Sequence, residues 1–121
     1  MKIYHNPRCS KSRQGLAILN ESGKDFEIID YLKNPISFAE LEDIIEKLGI
    51  PPIELIRKNE AIWKQEFKGK DMTDRELIEA MCDHPKLIER PIVIEGEKAV
   101  VGRPPEKIRD LVWIFLIHVN D

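Results

Sequence analysis

The first thirty residues alternate between strand and helix patterns, and this alternation limits the fold more than any other feature of the sequence. A short apolar segment at Lys2–Tyr4 predicts a strand, and the residues from Gln14 to Asn20 predict a helix that ends at Gly23. A second strand is predicted over Phe26–Asp30. A strand, a helix and a strand within so short a length indicate a right-handed βαβ unit with parallel strands.

A helical block follows this unit. Capping boxes predict the start of two helices, one at Ser37 to Glu40 and the other at Thr73 to Glu76. Between them, the apolar residues from Ile62 to Phe67 predict a further helix, and Pro85 ends the block. We therefore predict a helical insertion over about residues 37–84.

The chain then returns to strand patterns. Ile92–Ile94 and Ala99–Val101 predict two strands joined by a tight hairpin, with Gly96 at its first central position. A last helix is predicted after Pro104-Pro105. The order βαβ, helical insertion, ββα predicts an α/β protein with a thioredoxin-like fold. This fold has a four-stranded mixed sheet with helices on both faces, here in a single domain of residues 1–121.

A cysteine occupies the turn between the first strand and the first helix. At a helix N-terminus, unpaired backbone N–H groups and the helix dipole stabilise an anion, so the pKa of the Cys9 thiol is expected to be lowered. Arg8, Lys11 and Arg13 surround this cysteine with positive charge. An isolated cysteine is more often a small buried apolar residue, but this context favours a functional one. We predict that Cys9 is a nucleophile for an anionic substrate.

The composition argues against several classes of protein. A formal net charge of −3 is not typical of a nucleic-acid-binding protein, and no apolar run approaches the roughly 18 residues of a membrane span. Two cysteines do not form a disulfide framework, and the acidic residues are spread along helix faces, so no metal site and no bound cofactor are predicted. Without an apolar leader after Met1, we expect a cytoplasmic protein that binds neither nucleic acid nor membrane.

Four motifs, in order along the chain, are similar to those of a known family: His5-Asn6-Pro7-Arg8-Cys9-Ser10-Lys11-Ser12-Arg13, Leu55-Ile56-Arg57-Lys58-Asn59, Leu87-Ile88-Glu89-Arg90-Pro91-Ile92-Val93 and Gly102-Arg103-Pro104. The sequence resembles the glutaredoxin-linked arsenate reductase family (ArsC-like). That family shares its thioredoxin-like fold with the Spx-type regulators. The resemblance extends over residues 1 to about 112.

The resemblance implies an activity and a set of site residues. It implies an oxidoreductase of arsenic detoxification, in which the Cys9 thiolate attacks arsenate. It implies that three arginines hold the oxyanion, namely Arg57, Arg90 and Arg103. His5 would lie close to the thiol and modulate it, and Pro91 would be a cis-proline beside the site. Glutathione would be the co-substrate, and glutaredoxin would complete the release of arsenite.

Arginine suits this task on physical grounds as well. Arsenate at neutral pH is a divalent tetrahedral anion, and a thiolate approaches it only when that charge is neutralised. Guanidinium groups stay charged and bind such anions through two N–H groups at once. Arg90 and Arg103 both precede proline, which favours an extended backbone at each arginine.

No resolving cysteine is predicted within the chain. The sequence Cys9-Ser10-Lys11-Ser12 lacks the second cysteine of a Cys-x-x-Cys pair, so the site needs an outside thiol to finish a redox cycle. Ser12 either hydrogen-bonds the thiolate or is a simple first-turn residue of the helix. Cys82 lies at helical spacing from Ile78, which predicts a packing role.

Two other functions are compatible with the sequence. One is an Spx-like regulator that binds RNA polymerase, although such regulators use a Cys-x-x-Cys switch. The other is a monothiol oxidoreductase with a substrate other than arsenate, such as another small oxyanion.

The apolar segment Leu111–Ile117 leaves two possibilities for its packing. It either packs fully into the domain or meets a partner or a second copy.

Overall fold

A computed structural model describes the backbone of residues 1–120 and the side chains of residues 1–113. The strands are β1 (Lys2–Tyr4), β2 (Glu27–Ile29), β3 (Ile92–Glu95) and β4 (Lys98–Val101). The α-helices are α1 (Ser10–Glu21), α2 (Phe38–Leu48), α3 (Asp74–Asp83) and α4 (Glu106–Asn120). Shorter helical turns lie at Pro52–Leu55, Trp63–Phe67 and Pro85–Leu87.

The chain forms two compact units. The first contains Met1–Asn34 and the chain from Arg90 onward, and the second contains Pro35–Glu89. The second unit includes the whole of the helical insertion that the sequence predicts. It also takes in the turn at Pro85–Leu87 and the residues that lead back to β3.

The first unit is built on a four-stranded mixed sheet with the strand order β2-β1-β3-β4. β1 runs parallel to β2 and antiparallel to β3, and β3 and β4 form an antiparallel hairpin. The two residues between Glu95 and Lys98 make the turn, and Gly96 has a φ of 59° that suits glycine best. Together with the order of the elements, this sheet confirms the predicted thioredoxin-like fold.

Helices α1 and α4 pack on the same face of this sheet. Ile3 and Val93 are direct partners in β1 and β3, so their side chains point to one face. The core on that face consists of Ile3, Ile18, Leu19, Val93, Ile108, Leu111 and Val112. Full burial of a large aliphatic side chain is worth about 1.5–3 kcal/mol, so this core holds α1 firmly against β1 and β3.

Two glycines allow close packing around Pro91. A Cβ atom added at Gly15 of α1 would lie 2.7 Å from Pro91 Cγ and 2.8 Å from Ile108 Cδ1. A Cβ atom added at Gly102 would lie 2.6 Å from the same Ile108 Cδ1. Because no side chain fits at either position, the glycines let α1 and the chain after β4 approach the segment that precedes β3.

The second unit is helical, as predicted. Ser37 Oγ accepts a hydrogen bond from the backbone N–H of Glu40 at the start of α2, and Thr73 and Glu76 form a complete capping box at the start of α3. The helix predicted near Trp63 is a π-helical turn over Trp63–Phe67. The rings of Trp63 and Phe67 stack with their centroids 5.8 Å apart.

The last helix has a buried face and an exposed tryptophan. Ile108, Leu111 and Val112 are buried, whereas Trp113 is 64% exposed. The apolar segment predicted at Leu111–Ile117 is therefore not fully packed at Trp113, and its side chains from residue 114 onward lie outside the described part of the chain. Among the residues described, no helix combines the length and the apolar character needed to cross a membrane.

Candidate active site

Cys9 is the N-cap residue of α1, where the sequence places it. Its backbone is extended (φ −97°, ψ 123°), and its side chain is partly exposed. The backbone N–H of Cys9 donates to the Asn6 carbonyl at 3.0 Å, and its carbonyl accepts from Arg13 N–H at 3.0 Å. These two bonds hold the turn between β1 and α1, so the thiol has a defined position at the helix N-terminus.

The pKa of the Cys9 thiol lies below its ordinary value. Burial has the largest single effect and acts in the opposite direction, because it disfavours the charged form. Hydrogen bonds to the sulfur from the Ser12 backbone N–H, the Arg90 guanidinium and the Lys11 backbone N–H together outweigh burial, and the charge of Arg90 adds to them. The site therefore favours the thiolate, the nucleophilic form of cysteine.

Two of the three arginines implied by the resemblance meet at this thiol. Arg103 Nη2 lies 3.5 Å from Cys9 Sγ, within hydrogen-bonding distance for sulfur. Arg103 Nε donates to the backbone carbonyl of Arg90 at 2.8 Å, and this bond directs the guanidinium. Arg90 and Arg103 thus bring two positive charges to one sulfur, and the backbone of the first orients the side chain of the second.

The backbone around these arginines contains two cis peptide bonds, Arg90–Pro91 and Arg103–Pro104. The resemblance implies the first, whereas the second was not predicted. The backbone N–H of Gly102 donates to the Pro91 carbonyl at 2.8 Å. This bond ties together the two segments that carry the arginines.

His5 and Ser12 are both buried and hydrogen-bonded to each other. His5 Nδ1 lies 2.7 Å from Ser12 Oγ, which also accepts from the Asn6 backbone N–H at 2.9 Å. The hydroxyl of Ser12 therefore braces the turn, while its backbone N–H donates to the thiolate. Burial lowers the pKa of His5, and the charge of Asp30 and a hydrogen bond with the Ser12 backbone only partly offset this. That His5 and Ser12 modulate the thiolate stays a prediction.

Side-chain hydrogen bonds of Asn6 and Arg13 also support the turn, and the predicted site did not include these two residues. Asn6 Oδ1 accepts from the Arg8 backbone N–H at 3.0 Å, in addition to the two backbone bonds already described. The Asn-Pro dipeptide is a signal for such a turn. Arg13 Nη1 donates to the Pro7 carbonyl at 2.9 Å, so it braces the turn as well as adding charge.

The third arginine of the predicted site, Arg57, belongs to the second unit. Its backbone N–H donates to the Leu87 carbonyl at 2.7 Å, which anchors the residue. Its Nη1 donates to Glu60 Oε1 at 3.1 Å, and the two side chains are only 21% and 27% exposed. Arg57 is thus a positioned guanidinium in a sheltered ion pair, and its role as an oxyanion ligand stays a prediction.

Cys82 lies in α3 of the second unit, and the pKa of its thiol is shifted in the opposite direction to that of Cys9. Burial raises the pKa of its thiol, and the neighbouring charges of Asp83 and Glu79 raise it further. A thiol with a raised pKa is a weak nucleophile.

Within the described residues, no group of three or more His, Cys, Asp or Glu side chains has the arrangement of a metal site.

Comparison with known proteins identifies the family. A model of the ArsC family matches residues 4–111, which include Cys9 and the three arginines. The chain belongs to the ArsC family. It is 43% identical over 110 residues to an arsenate reductase of Neisseria meningitidis, with 89% of this chain and 94% of that protein covered. It is also 45% identical over 114 residues to the uncharacterized protein YfgD of Escherichia coli, with coverages of 93% and 96%.

The solved structures of ArsC relatives agree with this assignment. The fold is similar to that of an arsenate reductase from Vibrio cholerae, with a TM-score of 0.86 and 41% sequence identity. This match covers 91% of the present chain and 97% of the other. The similarity extends over nearly the whole of both chains, so the ArsC relationship applies to the fold as well as to the motifs.

Proposed function

We propose that this protein is an arsenate reductase that depends on glutathione and glutaredoxin. The observation that carries the proposal is the convergence of two guanidinium groups on one thiol. Arg103 Nη2 lies 3.5 Å from Cys9 Sγ, and the Arg90 guanidinium lowers the pKa of the same thiol. A thiolate needs this neutralisation to approach a divalent oxyanion. The arsenate reductases among the ArsC relatives support the same activity.

The proposed cycle begins when the Cys9 thiolate attacks the arsenic atom of arsenate. An As–S bond forms, and one arsenate oxygen leaves as water after protonation. Glutathione then attacks the Cys9 sulfur, so that a Cys9–glutathione disulfide forms and the As–S bond breaks. The electron pair of that bond stays on arsenic, which leaves as arsenite. The two thiols have then supplied the two electrons, and glutaredoxin reduces the disulfide to regenerate Cys9.

In this cycle the arginines act on both reactants. Arg90 stabilises the thiolate before arsenate binds, since it lowers the pKa of Cys9. We propose that Arg90 and Arg103, together with Arg57, then hold the arsenate oxygens and stabilise the charge that develops on them. The assignment of Arg57 rests on its place in the ArsC motif.

The cysteines of the chain support the proposed dependence on an external thiol. The thiol of Cys82 has a raised pKa, and Ser12 takes the position of a Cys-x-x-Cys partner. Ser12 directs its hydroxyl to His5 and to the Asn6 backbone. We therefore propose that glutathione supplies the second thiol, and that the protein acts in the cytoplasm, where glutathione is reduced.

Arsenite formation in a coupled assay tests this function. The assay contains arsenate, glutathione, glutaredoxin, glutathione reductase and NADPH, and it compares the wild type with Cys9→Ser. We expect turnover that requires arsenate and glutathione, and none for Cys9→Ser. Thioredoxin in place of glutathione and glutaredoxin should not sustain the rate. Equal turnover by Cys9→Ser would refute the mechanism, and a preference for thioredoxin would refute the proposed reductant.

A monothiol oxidoreductase that acts on another oxyanion is the second candidate. The same observation favours it, because two guanidinium groups at a thiolate would serve any small tetrahedral anion. The coupled assay distinguishes the two candidates, since this alternative predicts an activated Cys9 without arsenite formation.

A further inference from the structure

Glu60 contacts one of the proposed oxyanion ligands, and the reduction chemistry gives it no role. Its Oε1 accepts a hydrogen bond from Arg57 Nη1 at 3.1 Å. A carboxylate at this position cancels part of the positive charge of the guanidinium and repels an approaching anion. For an arginine that only has to bind anions tightly, Glu60 is therefore a disadvantage.

The pair of Arg57 and Glu60 is more sheltered than a comparable pair in the same unit. Its side chains are 21% and 27% exposed, whereas those of Arg75 and Glu79 are 75% and 51% exposed at the same 3.1 Å separation. The backbone N–H of Glu60 donates to the Arg57 carbonyl at 3.2 Å, so both side chains leave an ordered turn. Sheltered charges interact more strongly than charges in open water.

The geometry leaves Arg57 able to bind a ligand while it holds Glu60. A guanidinium carries five N–H donors in one plane, and the bond to Glu60 Oε1 uses one of them. An oxyanion bound by the remaining donors would share the guanidinium with the carboxylate. Its oxygens would therefore lie near those of Glu60.

Small oxyanions differ in how they respond to such a carboxylate. Arsenate and phosphate keep at least one O–H group at neutral pH, and that group can donate a hydrogen bond to Glu60. Sulfate is fully deprotonated, so it presents only lone pairs to the carboxylate. A carboxylate beside the guanidinium therefore disfavours an oxyanion that has no O–H group to donate to it.

We propose that Glu60 is a specificity-determining residue that selects protonated oxyanions, the class of arsenate and phosphate, against sulfate. This inference rests on the proposed function through one assignment, that Arg57 binds the oxyanion. It adds a role for a carboxylate that the reduction cycle does not use.

Protection of Cys9 from alkylation tests the inference without turnover. In a Cys82→Ala background, iodoacetamide reports on Cys9 alone, with inorganic phosphate and sulfate as probes at constant ionic strength. Phosphate should protect at concentrations about tenfold or more below those of sulfate, as one charge-assisted hydrogen bond predicts. Glu60→Gln should move this ratio towards one, because the amide can donate to sulfate. Glu79→Gln, the matched change in the exposed pair, should leave it unchanged.

The outcomes separate this inference from the proposed function. If phosphate protects Cys9 and Arg57→Lys weakens that protection, but Glu60→Gln keeps the original ratio, the inference is overturned and the proposed function stands. If neither anion protects, or if Arg57→Lys changes nothing, the oxyanion site fails and the inference fails with it. Thermal melts check folding, and Glu60→Ala, which also removes the carboxylate, should shift the ratio in the same direction as Glu60→Gln.

Discussion

Arg103 is the residue whose substitution tests the oxyanion site most sharply. Its Nε donates to the Arg90 carbonyl at 2.8 Å, and its Nη2 reaches Cys9 Sγ at 3.5 Å. Lysine keeps the positive charge but has a single nitrogen, so it cannot make both contacts in the same geometry. Arg103→Lys therefore removes the orientation of the charge and leaves the charge itself.

The two lost contacts set the expected size of the effect. A hydrogen bond to a charged group contributes about 1.5–3 kcal/mol, and one to a backbone carbonyl contributes about 1 kcal/mol. The contact with sulfur is long, so we take about 1.5 kcal/mol for it and a total of about 2.5 kcal/mol for the two contacts. This corresponds to a fall of about 10²-fold in kcat/KM for arsenate.

Two rates measured on the same variant test this reasoning. For Arg103→Lys, kcat/KM for arsenate should fall by about 10²-fold, while alkylation of Cys9 by neutral iodoacetamide should change by less than about tenfold. Iodoacetamide carries no charge that the arginine has to hold. The control Arg109→Lys, at an exposed residue that pairs with Glu21 at 3.8 Å, should leave both rates unchanged. Equal losses in the two rates, or no loss in either, would refute an oxyanion-binding role for Arg103.

Three further predictions concern the two thiols and the packing beside the site. Because the pKa of Cys9 is lowered, its alkylation rate should rise with pH through a midpoint below that of an unstructured cysteine peptide measured alongside. A midpoint at or above that of the peptide would contradict the assigned thiolate donors. Cys82→Ala should keep full turnover, since that thiol has a raised pKa; loss of activity in a folded variant would contradict the monothiol mechanism. Gly15→Ala should lower the free energy of unfolding, measured in urea, by about 1–3 kcal/mol, because its Cβ would lie 2.7 Å from Pro91 Cγ. An unchanged free energy of unfolding would contradict the close packing of Gly15 against Pro91.

Much of the fold could be predicted because its elements carry local signals. The capping box at Thr73 and Glu76 and the glycine at position 96 each specify a helix start or a turn through their own chemistry. The turn at Trp63–Phe67 is different. Over five residues an apolar spacing fits an α-helix and a π-helix equally well, so the sequence alone did not distinguish them.

The position of Cys9 at a helix N-terminus could be predicted from the sequence, whereas the hydrogen bonds around it could not. The position of Cys9 follows from a strand that turns into a helix, and this pattern is visible in the sequence. The bond from Arg103 Nε to the Arg90 carbonyl joins residues thirteen positions apart, and no local pattern indicates it. The Ser12 hydroxyl could hydrogen-bond either the Cys9 thiolate or groups of the turn. Which of these it does likewise depends on the position of the buried His5 ring.

The most direct test of the account is a single turnover followed by mass spectrometry. The wild-type protein is mixed with arsenate and glutathione, without glutaredoxin, and each cysteine is examined for bound glutathione. We predict one Cys9–glutathione disulfide for each arsenite released, none on Cys82, and none when arsenate is omitted. Arsenite release without a disulfide on Cys9, or a disulfide that forms equally without arsenate, would contradict the claim that Cys9 reduces arsenate.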